Sequence, residues 1–317
     1  MYKFSCLDNL VLKHKNMKNM KKILTITALA LIANVGLAQE NEIKNFRFGL
    51  VIDPSVNWLK PEGKIIAKNG ANVKFGGGVI LEFRLAKVAS LQTGVRIHGE
   101  GGKVKYNNDD IQSPNANVVN YFYITADDEI AEYMAPDTLG AFYSSASIKG
   151  KTHYQLNERQ YKATYITIPL VLKLKTKEIG TMTYFGQFGI NSSFRWKATA
   201  NDEVTKINQS YSATNVVSLG ASESKAKVDI TKDVAFFKAA LTFGLGAEMN
   251  LSGSTSLTFG LNYNLGFTNF VKKESDYLGK RTNADNYSSA SQTSVTSVKM
   301  PQELKSSAVV LTVGVLF

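Results

Sequence analysis

The sequence is poor in cysteine, histidine and proline. Its single cysteine, Cys6, and three histidines sit among 317 residues, with six prolines. Cys6 falls in a segment expected to be removed, so the mature chain has no thiol. That excludes a structural disulfide, a cysteine metal site and a lipidated cysteine at the cleavage point. Beyond the N-terminal region no stretch approaches ~20 consecutive apolar residues, the length a membrane-spanning helix needs. An exported chain of this kind enters a membrane only as a closed β-barrel. Clustered basic charge is also missing. The formal charge is +11, but residues 1–38 hold six Lys and one Asp, leaving only +6 over the rest. With no basic helix and no basic–aromatic pattern, nucleic acid is not an expected partner.

The N-terminus carries a secretion pattern. Met20-Lys21-Lys22 precedes the apolar run "ILTITALALIANVGLA", which ends in Gly36-Leu37-Ala38. Residues 1–38 are therefore read as a signal peptide, cleaved between Ala38 and Gln39. Residues 1–16 are an unusual extension, and Met17 or Met20 is a more ordinary start. Residues 39–317 are read as one domain.

That domain is dominated by period-two alternation. In Ser256–Phe267, "SLTFGLNYNLGF", residues Leu257, Phe259, Leu261, Tyr263, Leu265 and Phe267 alternate with small or polar ones. Such a run is a two-faced β-strand. Seven further segments share the pattern: 46–53, 75–85, 90–98, 165–174, 182–196, 237–249 and 308–317. Their connections alternate short and long, the long ones covering about 54–74, 99–163, 198–235 and 268–306. Eight strands of bilayer-spanning length, with alternating connections, predict an all-β, eight-stranded antiparallel up-and-down transmembrane barrel. Three short periplasmic turns and four long extracellular loops follow from that topology. The rival reading is a soluble calyx with the Leu/Phe face inside, holding an apolar ligand.

The chain end weighs for the membrane. Val309, Leu311, Val313, Val315 and Phe317 alternate up to a terminal Phe, the pattern read by the barrel-assembly machinery. The stretches "FGGGVILEFRLAKVASLQTGVRI", "YITIPLVLKLKT", "YFGQFGINSSF" and "LTFGLGAEMNL" resemble the PorT-like outer-membrane β-barrel family of Gram-negative bacteria. Tyr165 and Pro169 in Y-x-x-x-P-L-x-L-K are the most recognisable part. The resemblance covers the strands from about Phe46 to Phe317 and not the long loops. It implies a barrel in the outer membrane, no catalytic residues and no cofactor. Some members belong to protein-secretion machinery, so an envelope or secretion partner is one expectation alongside a structural or surface-interaction role. A narrow porin for small solutes is the alternative.

Candidate site residues follow from the polar face. Arg47, Glu82, Arg84, Lys173 and Glu248 are expected at the periplasmic end of the lumen, joined in a buried salt-bridge network that plugs the barrel. Burying such charges is tolerable only when they are paired. Asp53, Arg96, His98, Arg195 and Lys238 are expected near the outer rim. His98 is read as a hydrogen-bonding rim residue and not as a general base. The acidic runs Asp109-Asp110 and Asp127-Asp128-Glu129 lack the carboxylate spacing of a calcium loop, so no metal is expected. Pro169, lacking a backbone donor, should mark a bulge or a break in pairing. Asn262, facing a polar lumen, is expected to tolerate a charge far better than lipid-facing Leu261.

Overall fold

The computed structural model describes residues 45–62, 66–106, 119–126, 129–132, 151–209, 217–283 and 295–317. The expected leader, residues 1–38, lies outside them. So do Asp109-Asp110 and Asp127-Asp128.

Among the described residues fifteen strands run in chain order: β1 (Phe46–Ile52), β2 (Ser55–Pro61), β3 (Ile66–Lys74), β4 (Gly76–Ala86), β5 (Ala89–Tyr106), β6 (Val119–Ala126), β7 (Glu129–Ile130), β8 (Lys151–Lys175), β9 (Met182–Gln209), β10 (Val217–Asp229), β11 (Phe237–Ser252), β12 (Thr255–Gly266), β13 (Glu274–Asn283), β14 (Val295–Pro301) and β15 (Leu304–Leu316). Every pairing between them is antiparallel. Eight of the fifteen close a ring: β1 pairs β4, β4 pairs β5, β5 pairs β8, β8 pairs β9, β9 pairs β11, β11 pairs β12 and β12 pairs β15. The ring shuts where β15 returns to β1, Leu50 opposite Val315 and Gly49 opposite Leu316. Closure matters physically because an open sheet edge would leave unpaired backbone groups.

The three short connections, 87–88, 176–181 and 253–254, all lie at one end of the ring. Gly180 and Gly253 sit in two of these turns with φ of 65° and 58°, a conformation that side chains other than glycine's disfavour. At the same end Phe317 stacks on Phe48, with ring centroids 5.3 Å apart.

At the other end the architecture departs from the sequence expectation. The long connections are not plain loops. β2, β3, β6, β7, β10, β13 and β14 fall within them, and β5, β8 and β9 run on well past the expected strand ends. β2 and β3 extend the wall between β15 and β5. Farther up, β6 takes the place beside β8 that β5 holds below, and β13 and β14 continue from β6. The physical reason lies in polarity. In β2 and β3 the outward apolar pattern still persists at Val56 and Val73. Farther up the alternation reverses, with polar side chains outward, as in "KVKY" (Lys103–Tyr106).

Burial decides which face is which. Leu261 is 51% exposed, Leu245 68% and Leu170 57%, and all three point away from the ring axis. Their neighbours Asn262, Thr258 and Lys173 are buried inside. The calyx is thereby corrected. It required Leu257, Phe259, Leu261 and their equivalents to line an apolar cavity, and they form the outer wall instead.

Pro169 keeps its register with β9, opposite Asn191. On the other side, β5 and β8 pair from Gln92/Val171 and again from Arg96/Thr167, with no shift in register. The missing donor therefore produces a gap in pairing and not a bulge. Gly94 lies in that gap with φ of 144°, and a Cβ there would sit 2.1 Å from the Val79 carbonyl oxygen. A side chain at position 94 is excluded by both strain and space.

Candidate functional site

The interior of the ring holds two charged layers with a chain of neutral side chains between them and, above these, an apolar layer. In the lowest layer Arg47 on β1 donates to Glu82 on β4 (2.7 Å) and to Glu248 on β11 (2.9 Å). Lys173 on β8 bridges the same two carboxylates, 3.5 Å from Glu82 and close against Glu248. Lys175 does likewise, close against Glu82 and 3.0 Å from Glu248. Three cations thus hold two carboxylates, and both carboxylates are buried. The Lys173 ammonium also lies 3.9 Å from the centroid of the Phe185 ring. The arrangement satisfies the requirement that buried charge be multiply paired.

Arg84 does not join this group. Its guanidinium donates to the carbonyls of Ala86 and Lys87, because two residues from the strand end the side chain reaches the turn more readily than the axis. Lys175, which sequence reasoning left out, takes the third cation position. The available signal was its alternation with Lys173 on β8, one inward position nearer the turn.

Above this layer a chain of neutral side chains crosses the lumen. Gln187 donates to Asn262, Asn262 donates to Thr312 (3.1 Å) and Thr312 donates to Asp53 (2.7 Å). Arg96 closes on the same carboxylate at 3.4 Å. Asn262 is buried and bonded on both sides, so it is packed and not free to take a charge cheaply. That revises the expectation made for it.

The second charged layer is built on Glu100. Its carboxylate meets Lys238 on β11 and lies 2.8 Å from His98 Nε2. Lys238 also donates to Ser306 Oγ at 2.9 Å. Glu100 lay inside a segment read as loop. Asp53 and His98 take separate partners and not each other. Arg195 donates to the Val234 carbonyl. Asp53, Arg96, His98, Arg195 and Lys238 therefore do not stand at an outer rim. The strands continue above them, so they occupy the middle of the molecule.

Directly above begins an apolar core of Leu59, Val104, Tyr106, Leu156, Tyr161, Ala163, Tyr165, Ala198, Ala200, Ile230, Phe270, Leu278 and Leu304, all buried. One ion pair is sealed within it. Arg159 donates through Nε and Nη2 to both oxygens of Asp202, at 2.8 and 2.7 Å, and both side chains are fully inaccessible. The guanidinium faces the rings of Tyr161 and Tyr123. Burial, followed by the neighbouring Tyr161, pushes the Tyr106 phenol well above its ordinary range. Burial also raises Tyr161, so both remain neutral hydrogen-bonders 3.1 Å apart. His153, near the top of β8, is held down at about 4 by burial and then by the charge of Lys151.

The family comparison independently points to a β-barrel of the outer membrane. The outer membrane protein β-barrel domain matches residues 37–272. The chain belongs to that family. Among solved structures it is similar to OprG from Pseudomonas aeruginosa, at 8% identity, covering 86% of this chain and 95% of that one with a TM-score of 0.35. It is similar also to Ail, the attachment invasion locus protein of Yersinia pestis, at 10% identity, 86% and 100% coverage and a TM-score of 0.27. The outer membrane protease OmpT of Escherichia coli follows at 9% identity, 89% and 99% coverage and a TM-score of 0.31. At these values the likenesses carry no argument about chemistry. No curated protein matches the chain. Among the described residues no group of three His, Cys, Asp or Glu side chains could hold a metal ion.

Proposed function

We propose that this family member is a non-enzymatic outer-membrane barrel of the PorT-like type. Its eight-strand ring spans the bilayer, and its lumen is plugged by side chains. The upper β-structure then serves as a surface-interaction or secretion-accessory platform. The observation that carries the reading is the cross-lumen cluster of Arg47, Glu82, Lys173, Lys175 and Glu248. Paired charge of this density resists opening, since parting any member strands another in a buried site. Asp53 is engaged by Arg96 and Thr312, and His98 by Glu100, so the two do not form an Asp–His couple with each other. Planar-bilayer recording tests the plug: only brief or no openings are expected, and a steady large conductance overturns it in favour of a narrow porin.

The same reading assigns residues 1–38 to a cleaved leader and Val309, Leu311, Val313, Val315 and Phe317 to recognition by the barrel-assembly machinery. Support for the latter is the outward alternation of this strand up to exposed Phe317. Removing Phe317 should lower the heat-modifiable, membrane-inserted fraction. Unchanged insertion would sink the assignment.

A further inference from the structure

On the outside of the wall, where its polarity changes, three lysines converge on one cleft. Lys74 ends β3, Lys162 lies on β8 and Lys197 on β9. Cross-strand register brings them together, with Thr164 opposite both Gly99 and Lys197 on its two sides, and Lys162 opposite Thr199. The cleft has a volume of about 270 Å³ and is lined by these lysines with Phe75, Ile97 and Gly99 among others. The aliphatic stem of Lys74 lies over Gly99, where a Cβ would come within 3.1 Å of its Cδ. A β-bulge at Trp196 turns two successive side chains, Trp196 and Lys197, outward together.

Two features of this cleft together suit an amphiphilic anion. Among the described residues no carboxylate lies within 4.0 Å of any of the three lysines, so three ammonium groups without an ion-pair partner share one concavity. The floor is also apolar and open: Phe75 is 74% exposed and Ile97 47%. Directly below, the outer wall is continuously apolar.

We propose that this cleft binds the phosphate of an outer-leaflet phosphorylated glycolipid, with an acyl chain running down over Phe75 and Ile97. The proposal rests on the lipid-facing reading of the outer wall. Three unpaired ammonium groups suit a multiply charged phosphate, and their stems reach it while lying on apolar surface. A free anion would gain nothing from Phe75 and Ile97, which favours a headgroup attached to a chain.

Native mass spectrometry of the full-length, detergent-purified protein tests it, using diphosphoryl lipid A, its dephosphorylated form and inorganic phosphate as separate probes. The diphosphoryl form should bind at least about tenfold more tightly than either of the others, and K74Q/K162Q/K197Q should abolish that preference. The charge-matched control K60Q/K87Q/K177Q should retain it. Equal binding by the cleft variant and the wild type overturns the proposal, as does equal weakening by the control. Wild-type binding of inorganic phosphate or dephosphorylated lipid as tight as that of the diphosphoryl form overturns it too. Quenching of Trp196 by brominated lipid, in a W58F background, separates the two claims. Absent quenching breaks the membrane reading itself. Quenching with no lysine dependence breaks only the lipid site.

Discussion

The lower and upper halves of this molecule obey opposite rules within the same strands. On β8 the outward residues from the turn upward are Leu174, Leu172, Leu170, Ile168 and Ile166, then Thr164, Lys162 and Gln160. The inward ones are Lys173, Val171, Pro169 and Thr167, then Tyr165, Ala163, Tyr161 and Arg159. Between Ile166 and Thr164 the outside turns polar and the inside turns aromatic. Below that line the solvent for the outer wall is lipid, and polar groups must find partners across the lumen. Above it the outer wall meets water, and burial of apolar surface drives folding as in any soluble domain. β9 makes the change with the bulge at Trp196. Below it Ser193 and Arg195 point inward, and above it Ala198 and Ala200 do, so the parity of the strand shifts by one. The lesson is that a single antiparallel ring can hold two cores of opposite polarity, provided the switch falls at one height on neighbouring strands.

The sharpest break of this comparison is Asp202→Ala. It leaves Arg159 charged and unpaired in the upper core and should cost about 3–5 kcal/mol there. Limited proteolysis should then open the upper half while the ring keeps its heat-modifiable gel mobility. Simultaneous loss of both would show that the halves fold as one unit. Replacing both partners with apolar side chains of similar volume, in the double variant R159M/D202L, should restore most of the loss.

Next in size is a charge on the outer wall below the switch. Val95→Lys on β5 should cost roughly 2–4 kcal/mol if it lies near the bilayer midplane. Lys103→Val, on the same face of the same strand but above the switch, should stay within about 0.5 kcal/mol. Urea titration in lipid vesicles gives both values, and equal costs would erase the distinction between the two halves.

A smaller effect should appear with pH. His153 has its folded pKa held near 4, below the unfolded value of about 6.5. Its contribution is therefore fully present above pH 6.5 and is lost as pH falls through 4, because the unfolded state binds the proton more readily. The upper half should weaken by at most about 3 kcal/mol over that window. His153→Gln should flatten the profile, as read by near-UV dichroism. An unchanged profile would place the acid sensitivity elsewhere.

Much of the ring was legible from the chain alone. Period two located all eight ring strands, because each has one face dominated by large apolar residues, with only isolated interruptions such as Thr93 and Gly186. Turn positions followed from where that face stops and Gly180 or Gly253 appears. The upper strands were not legible. Their alternation is of ordinary polarity and pairs segments far apart, such as Gly279 with Phe122. Of the site residues, Arg47, Glu82, Lys173 and Glu248 could be named from the polar face and expected to share one network at the turn end, but which cation meets which carboxylate could not be read. Glu82 and Arg47 are 35 residues apart, and Glu248 is 201 from Arg47. Lys175 and Glu100 were missed because each lies at or beyond the end of a recognised strand.

By itself the sequence determined two-faced strands, the end with tight turns and the absence of any apolar helix to cross a bilayer. Those properties are local, set by side-chain chemistry within a dozen residues. Only the tertiary structure decided which face is inside, how high each strand runs and which charges share the lumen. Ring closure sets all three. When Leu50 meets Val315 the register of every strand between them is committed, and with it the height at which lipid-facing wall gives way to a water-facing one.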